Sequence, residues 1–166
     1  INKKGNIKRF FTNVLFVTYI FLFCMIFFIY SNYLHLKIII FTILLMCTLS
    51  DVGGYIFGKF FGGPKLIKIS PNKTISGALG SLIFTSLFAL LFFYYLTNNL
   101  NLKILLVGIL TSVGCQLGDL FFSYLKRKSS LNDTGNILPG HGGILDRVDG
   151  ILLGIPVGLI SLLIFY

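Results

Sequence analysis

FFTNVLFVTYIFLFCMIFFIY, from Phe10 to Tyr30, contains no charged residue. At about 1.5 Å of rise per residue, a helix over this stretch is roughly as long as the ~30 Å hydrocarbon core of a bilayer is thick. Four further stretches read similarly: roughly 37–58, 75–96, 102–125 and 150–166, the last being the shortest. The apolar runs are continuous and do not alternate as barrel strands do, so strands are not expected. The pattern predicts an all-α integral membrane protein of about five transmembrane helices.

Composition points the same way. The chain has 166 residues, 55% hydrophobic, 16% aromatic and only 11% charged. A soluble domain usually carries about 25% charged residues, and a disordered chain is poor in apolar and aromatic ones. Fourteen Lys and Arg stand against five acids, all Asp. Twelve of the fourteen fall before the first span, between the second and third, and between the fourth and fifth. Only Lys37 and Lys103 lie in the other two loops. The positive-inside rule therefore places the N-terminus in the cytoplasm and the C-terminus outside, in a multi-pass protein of the cell's inner (plasma) membrane. Tyr30, Tyr33, Tyr94, Tyr95 and Tyr166 would form an aromatic belt at the outer boundary.

The outer loops, near 31–36 and 97–101, read as connectors. The inner segment 126–149 is rich in Gly, Asn, Ser and Lys, and loops of that length are usually functional or disordered. No soluble domain, repeat or signal peptide is expected. The chain starts with Ile, as a processed protein or a fragment would. Cys24, Cys47 and Cys115 lie inside spans and far apart, without metal or redox spacing, and read as small apolar core residues.

Asp51 and Asp119 fall inside apolar helices, where an acid is costly and marks a functional site by default. Both lie about 10 Å from the inner end, in the cytoplasmic third. The bland alternative for each is a pairing with an inner-loop Lys. In GCQLGDLFFSYLKRK, Asp119, Ser123 and Arg127 share one helix face, flanked by Gln116 and Lys126. An acid, a hydroxyl and then cations make a surface suited to Mg2+ and phosphates, or simply a solvated basic helix end. Further on, Asp146 and Asp149 meet on one side if that stretch is helical, with Arg147 between them. Gly140, Gly142 and Gly143 surround His141 and let backbone N–H groups approach an anion. Metal ligation by His141 is disfavoured because hard Mg2+ prefers oxygen. Lys73 and Thr74 follow Ser70-Pro71 at the start of a span, as an anion site at a helix N-terminus would, or as topology alone requires. Gly53–Lys59 matches part of a P-loop, but Phe60 replaces the required hydroxyl and no strand precedes it. The small-xxx-small pairs Gly54/Gly58, Gly114/Gly118 and Gly150/Gly154/Gly158 mark close helix packing that would draw the Asp-bearing helices together.

SYLKRKSSLNDTGNILPGHGGILDRVD, from Ser123 to Asp149, resembles the signature of the phosphatidate cytidylyltransferases, the CDP-diacylglycerol synthases. Matching positions are Ser123, Lys126, Arg127, Asp133, Gly135, Pro139, His141, Gly142, Gly143, Asp146, Arg147 and Asp149, while Asn132 stands where the family usually has Lys. SDVGGYIFGKFFGGPKL and SPNKTISG, which carry Asp51, Lys73 and Thr74, resemble the family too, with departures at Asn72 and Ser76. The resemblance covers about residues 48–166, a catalytic core within one membrane domain (1–166) whose residues 10–47 are generic N-terminal spans. Full bacterial members are longer, while the archaeal CDP-archaeol synthases also use a five-span core.

This resemblance implies transfer of CMP from CTP to phosphatidate, giving CDP-diacylglycerol and pyrophosphate, at a cytoplasm-facing polar site. It implies that Asp119, Asp146 and Asp149 bind Mg2+, with a second cation as an option. Lys73, Lys126, Arg127 and Arg147 would hold phosphates, while Ser123, Asp133 and His141 position substrate or nucleotide. Asp51, Thr74, Gly142 and Gly143 join the expected substrate-binding set. Expected partners are CTP, phosphatidate and membrane lipid, with a second copy of the chain because members are often dimers, and no nucleic acid. The competing readings are a CDP-archaeol-type synthase or CTP-dependent lipid kinase, and a small cation transporter or membrane partner without catalysis.

Overall fold

Inside a bilayer a backbone polar group has no water to bond, so an apolar run must satisfy its own N–H and C=O groups by forming a helix. All five runs do so. The structure, a computed structural model, describes residues 3–67, 70–128, 143 and 145–166, with side chains from Phe10 onward except those at 71, 72, 146 and 147. The helices are α1 (Lys3–Asn32), α2 (Leu34–Phe61), α3 (Ile75–Thr97), α4 (Lys103–Lys128) and α5 (Leu145–Phe165). Each is long and apolar enough to cross a membrane. Large apolar side chains such as Phe11, Leu91 and Leu163 are exposed, as a lipid-facing surface requires. The chain is an all-α, multi-pass membrane protein.

It divides into two compact units, 1–40 and 41–166. The first comprises α1 and the opening turns of α2, with only Tyr33 between the helices. The second holds the rest of α2 and α3 to α5. In it α2 and α3, α3 and α4, and α4 and α5 run antiparallel. Thus Gly118 lies against Gly150 and Gly114 against Gly154, while Gly54 lies against Gly77 and Gly53 against Gly80.

These crossings depend on missing side chains. A Cβ on Gly118 would stand 2.6 Å from the Asp149 carbonyl oxygen, and one on Gly77 would stand 2.7 Å from the Gly54 carbonyl oxygen. Both clashes are with backbone, which cannot swing aside as a flexible side chain can. Without a hydrophobic drive between helices in lipid, this close contact is what holds them. The small-residue pairs expected to mark packing do so. The core beneath them holds Ile43, Met46, Val107, Ile104 and Ile155. At the far end, Phe93 and Tyr166 bring the close of α3 and of α5 together, 5.5 Å between ring centroids.

Three expectations are corrected. First, two strands form: β1 (Lys65–Ile67) pairs antiparallel with β2 (Ser70–Thr74), Lys65 opposite Thr74 and Ile67 opposite Ser70, with a register shift between. The strands lie outside the apolar runs, where hairpin pairing satisfies backbone groups that no helix covers. Gly62 and Gly63, at φ +59° and +105°, turn the chain out of α2 into this hairpin. Second, 126–149 is not loop throughout: α4 runs to Lys128 and α5 begins at Leu145. Both extensions suit the helix dipole, with Lys126, Arg127 and Lys128 in the last turn of α4 and acids near the start of α5. Asp146 and Asp149 are therefore three apart on one helix. Third, Cys47 and Cys115, far apart in sequence, meet in the core; a Cβ on Gly154 would collide with both sulfurs. These two are small apolar core residues as expected, whereas Cys24, expected in the core as well, is exposed on α1.

Replacing Gly118 by Val is expected to cost about 1–3 kcal/mol by overpacking, read as a lower melting temperature in detergent. Leu163→Ala, on an exposed position, should stay within about 0.5 kcal/mol of the parent. A Gly118→Val protein that melts with the parent would show that the α4–α5 crossing does not need the glycine.

Candidate functional site

The site is assembled where the hairpin meets α2, α3 and α4. Thr74 caps α3 with extended backbone (φ −109°, ψ 158°), and its hydroxyl accepts from the Gly77 N–H at 3.1 Å. Ser76 hydrogen-bonds the Gly62 carbonyl and lies 3.1 Å from the Thr74 hydroxyl, which fastens the hairpin's return strand to the end of α2. Lys73, one residue before the cap, is thereby delivered to α4. Its Nζ donates to Asp119 Oδ2 at 2.5 Å. The pairing of an intramembrane Asp with an inner-loop Lys, weighed from the sequence, is present for Asp119.

On its other side Asp119 meets α5. Its Oδ1 reaches Gly150, where a Cβ would come within 2.6 Å, and its carboxyl is within hydrogen-bonding reach of Asp149. Asp149 lies 3.7 Å from Lys126 Nζ and accepts from the Gly150 N–H at 2.9 Å. Charges of alternate sign thus bracket an acidic pair: Lys73, Asp119, Asp149, Lys126. Side-chain exposures are 31%, 18%, 14% and 17% in that order, so the group is half-buried and reachable. Two carboxylates this close repel each other unless a proton or a cation lies between them.

Beside this cluster lies a cavity of about 260 Å3. Asp51, Lys73, Thr74 and Asp119 line it, so four expected site residues are gathered around one cavity. Ser50, Ser81 and Gln116 line it too, and their importance was not read from the sequence, where Gln116 was only a flanking residue. The signal was available, since each is a polar residue inside an apolar helix. Ser50 and Ser112 hydroxyls are 2.8 Å apart and buried, and Gln116 Nε2 donates to the Ala78 carbonyl (3.2 Å) and to Ser112 Oγ (3.4 Å). This short network ties α2, α4 and α3 together beside Asp51, Asp119 and the hairpin.

Ser123 and Arg127 follow Asp119 at successive turns of α4, outside the cavity lining. Gly143 is buried just before α5. Asp146 and Arg147 are in the first turn of α5, but their side chains are not among those described. Asp133, His141, Gly142 and the departure at Asn132 lie outside the described residues. No group of three or more His, Cys, Asp or Glu gathers in a metal-binding arrangement among the described residues. The expected trio is represented by its Asp119–Asp149 pair.

Known proteins are similar to this sequence. A family model described as the cytidylyltransferase family matches residues 1–165. The chain is 46% identical over 115 residues to a phosphatidate cytidylyltransferase of Staphylococcus haemolyticus, which covers 68% of this chain and 44% of that protein. The same figures hold for the phosphatidate cytidylyltransferase of Staphylococcus aureus strain COL. That of Staphylococcus epidermidis is 44% identical over 124 residues, 74% of this chain and 47% of that protein. The chain spans about half the length of the curated relatives it matches.

A double-mutant cycle tests the Lys73–Asp119 pair. Lys73→Met and Asp119→Asn should each destabilise, and together cost about 1–2 kcal/mol less than their sum, between surface and buried ion pairs. Strict additivity in denaturant unfolding would mean the two charges do not interact.

Proposed function

The chain belongs to the cytidylyltransferase family, and from that premise we propose that it carries the transfer site of a phosphatidate cytidylyltransferase. The reaction moves CMP from CTP to phosphatidate and yields CDP-diacylglycerol and pyrophosphate. The observation that carries this reading is the run Lys73, Asp119, Asp149, Lys126 beside a cavity whose lining includes Asp51, Thr74 and Gln116. Acids for a cation and ammonium groups for phosphates meet within the membrane-spanning part of the protein, where a lipid substrate can arrive sideways.

A phosphate oxygen of phosphatidate forms a bond to the α-phosphorus of CTP. The bond from that phosphorus to the oxygen bridging to the β-phosphate breaks, and the oxygen leaves with pyrophosphate. Such transfers need positioning and charge neutralisation more than covalent chemistry from the protein. Lys73 and Lys126, with Arg127 and Arg147, hold phosphate oxygens. In the structure Lys73 is engaged with Asp119, so a bound phosphate competes for its ammonium group. Ser123, Asp133 and His141 position the substrates, together with Asp51, Thr74, Gly142 and Gly143.

The donor set fits magnesium. Asp119 and Asp149 present hard oxygens from two helices, and Mg2+ takes one or two carboxylates while keeping positions for water and phosphate. Asp119, Asp149 and Asp146 would hold the ion, which when bound supplies positive charge against the triphosphate. The site faces the cytoplasm across the plasma membrane, where CTP is found.

Incubation of the detergent-solubilised chain with phosphatidate, Mg2+ and CTP labelled on the α-phosphate should put label into lipid, whereas γ-label should leave in pyrophosphate. γ-Label in the lipid would make the enzyme a kinase instead. Asp119→Asn should lower the rate at least about 100-fold, the scale of losing a charge-stabilising group; full activity in that variant would remove Asp119 from the site.

Orientation has its own test. Alkaline phosphatase, active only outside the cytoplasm, should be active when fused after Tyr166 and inactive when fused before α1. The opposite pattern would invert the topology and put the site on the wrong side for CTP.

A further inference from the structure

The cavity wall carries the neutral polar residues Ser50 and Gln116 next to the ionisable Asp51 and Asp119, and the Gln116 amide has a fixed direction. A backbone carbonyl only accepts, so the Ala78 carbonyl compels Gln116 to turn its Nε2 toward it. The amide is thereby fixed against flipping, and its unengaged end is the acceptor Oε1. The same Nε2 also donates to Ser112 Oγ. Ser112 keeps a second lone pair and its own proton, so either hydroxyl of the Ser112–Ser50 pair, 2.8 Å apart, can be the donor. When Ser112 is the donor, the Ser50 proton is left for a ligand. Ser50 and Gln116 both line the cavity, and Ser50 is buried from every other side.

We propose that this wall reads the nucleobase: Gln116 Oε1 accepts from the exocyclic amine of cytosine, and the Ser50 hydroxyl donates to its ring N3. The inference rests on the cytidylyltransferase reading and names the groups that select the base. A donor next to an acceptor is what the cytosine edge presents, since C4 bears an amine and N3 carries a lone pair. Uracil presents the reverse, O4 as acceptor and N3–H as donor, and would face Gln116 oxygen to oxygen. A site whose buried polar groups are left unpaired by the wrong ligand discriminates far better than an apolar pocket does. The occupant is the base and not an acyl chain, because hydroxyls and an amide would be left unsatisfied against hydrocarbon. Lys73, in the lining of the same cavity, is then available to the triphosphate.

The test compares CTP, UTP and the triphosphate of the pyrimidin-2-one nucleoside, which lacks only the exocyclic amine. Binding to the purified chain is measured by calorimetry and transfer to phosphatidate by product formation. The parent protein should prefer CTP over both by roughly 10- to 100-fold in each assay. In Gln116→Leu the preference over the amine-free analogue should collapse toward one, with Ser50→Ala losing part of the preference over UTP. Should Gln116→Leu fail to fold, the analogue comparison on the parent protein decides the matter alone. Equal use of CTP and the amine-free analogue by the parent, or an unchanged preference in a folded Gln116→Leu protein, overturns the assignment. Selective binding of CTP that depends on Gln116, without product, would uphold base reading and overturn the transferase reading. Product formation without base preference would do the opposite, and binding of neither nucleotide would overturn both.

Discussion

A carboxylate within an apolar helix has to be compensated, and the membrane-embedded core beyond residue 40 is arranged around that requirement at Asp119. Compensation comes from Lys73, 46 residues earlier, at 2.5 Å. Bringing it there takes a hairpin that folds back from α2, a threonine cap that starts α3 at the right residue, and antiparallel packing of α3 on α4. On the opposite side the glycines Gly118 and Gly150 let α5 approach until Asp149 becomes a neighbour. That second acid is in turn balanced by Lys126 at 3.7 Å. Each charge is answered by one from a different element, so the elements cannot shift without exposing an unpaired ion to low dielectric.

The same arrangement gives the cavity both ionisable and neutral polar lining residues. The hairpin brings in the cation Lys73, and α2 and α4 contribute Asp51 and Asp119. Beside them Ser50, Ser81 and Gln116 are neutral, with Ser112 hydrogen-bonded to Ser50 and Gln116. Most of their hydrogen bonds go to one another or to helix carbonyls, so the wall is held rigid without ions. A triphosphate and a base make matching demands, strong charge at one end and directional neutral hydrogen bonds at the other. Pre-organised groups of this kind lower the cost of ordering a ligand.

Much of this was legible in the sequence. Five apolar runs predicted five helices because length and hydropathy suffice when the backbone can bond only to itself. Asp51 and Asp119 stood out because acids in such runs are expensive, and the glycine spacings located the close crossings. The Ser123–Asp149 motif pointed to the family. Less visible were the hairpin at Lys65–Thr74, whose short strands sit among lysines without clear alternation, and the meeting of Cys47 with Cys115. The start of α5 at Leu145 was also missed, because Asp146, Arg147 and Asp149 look like loop residues until the helix dipole and the facing α4 are taken into account.

What the sequence by itself determined is therefore class and vocabulary: a membrane-spanning bundle, with acids, lysines and glycines set at the positions where a site could form. Those follow from local physics, since the need for helical hydrogen bonding and the cost of an intramembrane charge are properties of single segments. Which lysine answers which acid, and which neutral residues share the cavity with them, was decided only by the tertiary structure. Residues 73 and 119, 50 and 112, and 78 and 116 are brought within hydrogen-bonding distance by the way the elements pack, and glycine spacing marks where helices cross without saying which polar residues the crossing pairs.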